Sequence, residues 1–205
     1  MTTLAPIPSI MDLKNDQNYT GPDMYPYSRA SIFQFKNVVN AAELTEHMKT
    51  GNADLPDIAC LDATRVVSID HLRVALSKAL VAKRRGAMKS HNIYSEIIHS
   101  FSGDNNVSDS FKRFGISKKS SNIICIVLQD GEDTQYINKC RDQLNRFVNG
   151  EACDQICLDG LADYGVLRKV PLLKLRFTSH RKITLYKRHS ARWRHKDFSR
   201  ERNSI

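Results

Sequence analysis

Asn122-Ile-Ile-Cys-Ile-Val-Leu128 is the stretch on which the fold turns. Six consecutive apolar residues of strand length, two of every three β-branched, fit a strand buried on both faces at the centre of a sheet. A strand of that kind needs cover above and below, so the flanking sequence has to supply helices with one apolar side. Asp130-Gly131 ends the run.

Working outward, residues 134–148 carry Ile137, Leu144, Phe147 and Val148 at helical spacing, with Lys139, Arg141 and Asp142 elsewhere on the surface. Upstream, the clearest helix lies between a cap at Ser68 or Asp70 and a stop at Gly86. Leu72, Ala75, Leu76, Ala79 and Leu80 fall at i, i+3, i+4, i+7 and i+8, which is one helical face. Its last turn holds Lys83, Arg84 and Arg85, where positive charge complements the carbonyl end of the helix dipole. Residues 93–101 and 108–114 read as two more helices, turned by Gly103 and stopped by Gly115. Residues 158–164 read as a short helical turn. Ala30-Ser-Ile-Phe-Gln-Phe-Lys and Ile58-Ala-Cys-Leu-Asp62 read as strands, with a helix capped by Asn40 between them. The alternation over 166–177 predicts a fourth strand, which Pro171 confines to an edge or a bulge. The expectation is a single α/β (α+β) domain over 29–177, with about four strands in a mixed sheet flanked by five to six helices. A region of that size buries ~68% of its unfolded surface, enough for a core without metal or disulfide.

The 205 residues hold 31 Lys and Arg against 22 Asp and Glu, a net charge of +9, but the excess is local. Residues 176–205 carry ten Lys/Arg and two Asp/Glu, leaving 21 against 20 for residues 1–175. Attraction to phosphate on charge alone would belong to this basic tail, residues 178–205, which is expected to be disordered. Tyr186, Trp193 and Phe198 lie among its cations, as base-stacking aromatics would, although solvated tails and import signals look the same. Residues 1–28, with four of the six prolines and no cationic stretch before an apolar core, read as a flexible leader rather than a secretory signal. The five cysteines, odd in number and scattered, do not form a disulfide framework. A reducing intracellular compartment is expected, and no stretch approaches the ~20 apolar residues of a membrane span.

Catalytic apparatus is scarce. There is no Gly-rich phosphate loop, no His-Glu-x-x-His, no Cys-x-x-Cys and no Gly-x-Ser-x-Gly. Cys153 and Cys157 make at most half of a zinc site. Glu96, with Ser95, His91 and His99, is the most enzyme-like group, but its spacing is that of any solvated helix face. The expectation is therefore a protein with no catalytic, cofactor-binding or metal-binding residues. The cations Lys83, Arg84, Arg85 and Lys89, followed by Lys112, Arg113, Lys118 and Lys119, have a plain reading as helix-end complements. They also suit contacts to a phosphate backbone.

Asp62, Val66-Val-Ser-Ile-Asp-His-Leu72, Ala75, Lys78-Ala79, Gly86-Ala-Met-Lys89, Ile93-Tyr-Ser-Glu-Ile-Ile98, Asn106-Val-Ser-Asp and Phe114-Gly-Ile-Ser occur in an order that resembles the TPRKB family. That family supplies the kinase-binding subunit of the KEOPS (EKC) complex, and the likeness runs from about Ser31 to Leu175. It implies a noncatalytic subunit that binds and regulates the atypical kinase/ATPase of the complex, and through it meets the other subunits. It also implies that the subunit holds the 3′ CCA end of tRNA, for threonylcarbamoyl transfer to the adenosine beside the anticodon. On this resemblance Lys83, Arg84, Arg85 and Lys89 are candidate tRNA contacts, and Leu72, Ala75, Leu76 and Ala79 candidate kinase contacts. Nucleus and cytoplasm are the implied locations. After Leu175 the likeness stops: relatives close with an amphipathic helix, whereas Thr178 onward is basic, as an alternative terminus would be. The rival expectation is a general nucleic-acid-binding protein dominated by that tail.

Overall fold

Burial on both faces of the central strand is realised by helices packed against each side of one sheet. In the computed structural model the described residues are 9–12 (backbone only), 27, 29–51, 54–103, 105–130 and 133–167. The elements are β1 (Ser9–Asp12), β2 (Arg29–Lys36), α1 (Ala41–Thr50), β3 (Ala59–Asp62), a 3₁₀ turn (Ala63–Arg65), α2 (Ile69–Arg84), α3 (Ile93–Ser102), α4 (Val107–Phe114), β4 (Ile123–Gln129), α5 (Thr134–Phe147), β5 (Glu151–Cys153) and α6 (Tyr164–Leu167).

The strand order is β1-β2-β4-β3, with β5 paired to the far part of β2. β4 is central, as its composition predicts, and all seven of its residues are buried. Cys125 faces Phe33 on one neighbour and Cys60 on the other. The sheet differs from expectation in being antiparallel at every described pairing. β2 and β3 do run the same way, as a crossover through α1 allows, but β4 lies between them, so no parallel ladder forms. This puts β3 at the edge of the sheet.

The period-2 geometry of β4 divides the core. Ile123, Cys125 and Val127 join Phe33, Phe35, Leu44, Ile137, Cys140 and Leu144 in one cluster under α1 and α5. Ile124, Ile126 and Leu128 are equally buried on the opposite side, where α3 lies against β3 and packs with α2 and α4. There Phe101 meets the ring of His71 edge-on at 4.8 Å and that of Phe114 at 5.7 Å. Of the two candidate caps of α2 it is Ser68 that accepts from the His71 amide, at 3.2 Å. Asn40 precedes α1 but makes no side-chain cap; its amide instead donates to the Phe147 carbonyl and accepts from the Asn149 amide, tying α1 to the end of α5. A Cβ on Gly115 would sit 2.7 Å from the Phe111 carbonyl oxygen, so the chain can only leave α4 there as glycine.

Two further expectations change. Within the supposed leader, Ser9–Asp12 pairs with β2 as an edge strand. At the supposed fourth strand, Val166 and Leu167 are helical, because Asp163 draws them back: its carbonyl accepts from both amides and its carboxylate from Val166. The rest of that strand and the basic tail lie outside the described residues. Among the described residues no helix is long and apolar enough to cross a membrane.

Candidate functional site

α2 divides its residues by angle around the axis. Leu72, Ala75, Leu76 and Ala79, the stripe expected to meet a kinase, are at most 1% exposed. They form the interior packing against α3, so in this conformation they offer no surface to a partner. The outer face of the same helix is Asp70, Arg73, Val74 and Lys78. Val74 is 43% exposed there, an apolar side chain flanked by an Arg73–Asp70 ion pair at 3.5 Å.

The cations at the end of α2 are not equivalent. Arg84 and Arg85 are exposed. Lys83 donates to the Tyr27 hydroxyl at 3.1 Å, its ammonium 4.8 Å from the centre of that ring, and is half-buried. Lys89 is brought back beside the helix by the loop 87–92. Its ammonium donates to Asn105 at 2.7 Å, and burial together with the nearby Lys89 lowers the pKa of Lys78. The loop is held by Glu96, 3% exposed, whose Oε2 accepts from the Lys89 amide, the Ser90 amide and the Ser90 hydroxyl at 2.8 to 2.9 Å. Lys83, Arg84, Arg85 and Lys89 therefore lie along one helix end and the loop that follows it, and a buried carboxylate fixes the position of the last.

That role for Glu96 dissolves the enzyme-like group. His99 is buried and shares a hydrogen bond with the Ser110 hydroxyl at 3.0 Å, which in turn meets Ser102 at 2.6 Å. His91 is exposed in the loop ahead of α3. Glu96 ties α3 to the preceding loop and His99 ties it to α4, in different directions, while His91 takes no part. Among the described residues no group of His, Cys, Asp and Glu is arranged to hold a metal ion.

One feature carried no sequence signal. A groove of about 1030 Å³ lies beside β3, whose outer edge is bridged to Gly115 at Leu61, and its apolar lining includes Met48, Leu55, Tyr94, Phe111 and Ile116. Lys49, Lys112, Lys118 and Lys139 stand among its lining residues, and Ile58 and Cys60 of the edge line it. Tyr136, also in the lining, has its hydroxyl pushed up to about 12, chiefly by burial. The contributing residues span positions 45 to 143 and only the fold brings them together. Phe111 and Tyr136, 37% and 36% exposed, are large apolar side chains left at its surface.

With this geometry in place, comparison with known proteins is informative. The family of kinase binding protein CGI-121 matches residues 35–174. A subunit of this description from Yarrowia lipolytica, "EKC/KEOPS complex subunit CGI121", is 33% identical over 107 residues, covering 52% of this chain and 63% of the relative. The chain thus spans just under two thirds of that protein. The Schizosaccharomyces pombe "EKC/KEOPS complex subunit cgi121" is 30% identical over 151 residues, 71% of this chain and 83% of the relative. The zebrafish "EKC/KEOPS complex subunit TPRKB" is 32% identical over 154 residues, 74% and 84% respectively. The matched segment contains β3, β4, all of α1 to α5 and the loop held by Glu96, so this chain belongs to the CGI-121 kinase-binding protein family.

Proposed function

We propose that this chain is a noncatalytic subunit of an EKC/KEOPS-type complex, binding the kinase/ATPase of that complex through the outer face of α2 and recruiting tRNA through the basic end of the same helix. Membership of the kinase-binding family over residues 35–174 is the observation that carries the reading. The exposed Val74 gives the kinase-facing surface an apolar centre with a charged rim, the composition of a protein contact. Arg84, Arg85 and Lys89 supply the cations that would neutralise the RNA backbone, and the single-stranded 3′ CCA end is the part of tRNA this reading has them hold. In this reading threonylcarbamoyl transfer to the adenosine beside the anticodon falls to other subunits, and the subunit works in the nucleus and cytoplasm.

Co-purification of the full chain with the complex's kinase tests the first part. The wild-type chain and Val74→Ala retain the kinase, and Val74→Asp loses it while keeping its thermal transition. Retention by Val74→Asp would refute the α2 face. For the RNA, Arg84→Ala with Arg85→Ala weakens binding of tRNA and leaves kinase capture intact. If instead removal of residues 178–205 abolishes binding and the double variant does not, the tail-driven nucleic-acid reading replaces this one.

A further inference from the structure

Cys60 and Cys125 are cross-strand neighbours in the register of β3 and β4, and their sulfurs are 3.3 Å apart. The Ala63 amide donates to the Asn122 carbonyl at 2.9 Å, which sets the alternation of the ladder. Pairs 63/122, 61/124 and 59/126 carry the hydrogen bonds, and 60/125 falls between them. In such a non-hydrogen-bonded pair the Cα atoms are about 4.5 Å apart and the side chains approach closely. That lies inside the range of about 4.4 to 6.8 Å that a disulfide spans. No backbone movement is needed; rotation about the two Cα–Cβ bonds has to close the sulfurs from 3.3 Å to a bonded distance of about 2.05 Å. Cys140 belongs to the same apolar cluster but stands on a helix rather than in the ladder.

Access is one-sided. Cys125 is fully enclosed in the central strand. Cys60 is buried too, at 1% exposure, but it stands on the edge strand among the residues lining the groove, so a small oxidant has to approach from its side. The neighbouring thiol and burial hold the Cys60 pKa well above its ordinary value, which keeps the pair unreactive toward bulky electrophiles and makes the reaction slow.

We propose that Cys60 and Cys125 are a redox site: a hydroperoxide entering the groove converts them to a cross-strand disulfide that staples the edge strand β3 to the centre of the sheet. Cys60 gives its proton to water in the groove, and its sulfur takes one oxygen of the peroxide. The O–O bond breaks and the second oxygen leaves as hydroxide, which recovers the proton. The Cys125 sulfur then attacks the Cys60 sulfenic acid; the S–S bond forms, the S–O bond breaks, and the departing hydroxide takes the Cys125 proton. Two thiols and one hydrogen peroxide become one disulfide and two waters, the sulfurs together losing two electrons. Closing the bond fixes the floor of the groove.

The experiment uses the full folded chain, treated with hydrogen peroxide, quenched, unfolded, alkylated and digested without reductant for mass spectrometry. A peptide pair carrying Cys60 and Cys125, lighter by two hydrogens than its separate parts and released by dithiothreitol, is the expected product, with Cys140 recovered as the alkylated thiol. The Cys125→Ser variant loses the cross-link, and Cys60 is then trapped by dimedone as sulfenic acid. Recovery of Cys60 and Cys125 as free thiols after Cys153 and Cys157 have been oxidised overturns the proposal. So does a cross-link from Cys60 to Cys140 in place of Cys125.

Discussion

Acidification from pH 7 to pH 5 destabilises this protein through His71, and the size of the effect follows from where that ring sits. Nδ1 accepts from the Val67 amide at 3.4 Å, and a second hydrogen bond runs to the backbone of Phe101. Both nitrogens are thus committed to the neutral ring. Protonation would set one N–H against another in a site that is only 7% exposed. Burial is the main cause that lowers the pKa of His71 from about 6.5 to about 4, with the Phe101 contact acting weakly the other way. Above pH 6.5 the ring is neutral in both the folded and unfolded chain and contributes nothing to pH dependence. Below it the unfolded chain takes up a proton that the folded chain refuses, so stability falls until about pH 4. Integrated, the loss is about 2 kcal/mol by pH 5 and about 3 kcal/mol at the lower end of the window. Urea midpoints for the wild type and His71→Gln between pH 7 and pH 4.5 isolate this term, because the carboxylates titrate alike in both proteins. The glutamine loses the edge-on contact with Phe101 at every pH, which lowers its baseline without adding slope. The variant is expected to lose less stability on acidification by those amounts. Parallel curves for the two proteins would refute the assignment of the proton to His71.

Four other outcomes follow from named contacts. Asp62→Ala removes the acceptor of the Thr64 amide, the Thr64 hydroxyl and the Ser120 hydroxyl, at 2.6 to 2.9 Å; a loss of about 3 kcal/mol is expected by chemical denaturation, from stranded donors and a lost cap. Glu96→Ala frees the Lys89 loop, costing about 2 kcal/mol of stability and weakening tRNA binding; a filter-binding titration that matches wild type would show that the loop's position is irrelevant to RNA. Leu72→Ala, in the interior stripe, lowers stability by about 3 kcal/mol, whereas the exposed Val74→Asp leaves the unfolding free energy within about 0.5 kcal/mol of wild type, both read from chemical denaturation. Finally, each of Arg84→Ala and Arg85→Ala reduces the slope of log affinity against log salt by about 0.7 to 0.9, and an unchanged slope would remove that residue from the interface.

Local pattern was enough for most of the secondary structure, and it stopped where distant residues decide. The run at 123–128 announced a doubly buried strand because it is short, rich in β-branched residues and closed by Asp130-Gly131. The helices announced themselves by caps and stops, Ser68 and Gly115 among them. Strand direction did not, since nothing in the composition of β4 says that it inserts between β2 and β3 rather than beside them. The expected strand over 166–177 failed at its start for a purely local reason, the Asp163 cap, which alternation counting ignores. The groove was illegible because its walls come from separate elements that only the sheet edge assembles.

The α2 helix shows why a correct periodicity pointed to residues that the fold buries. Five apolar residues on one face are strong evidence for a helix, and by the same token they are the residues the fold needs inside. A contact surface on such a helix must be sought on the residues left over, and these are read by exposure rather than by pattern. Val74 breaks the polar face without belonging to the stripe, so it contributes nothing to the internal core and leaves an apolar side chain in water. The basic end obeys the same division. Lys83 leans on Tyr27 and Lys89 on Asn105, while Arg84 and Arg85 project outward. One helix thus presents an apolar centre along its outer face and two unburied guanidinium groups at its end. On the proposed function, a protein partner on the first would leave the second open to RNA.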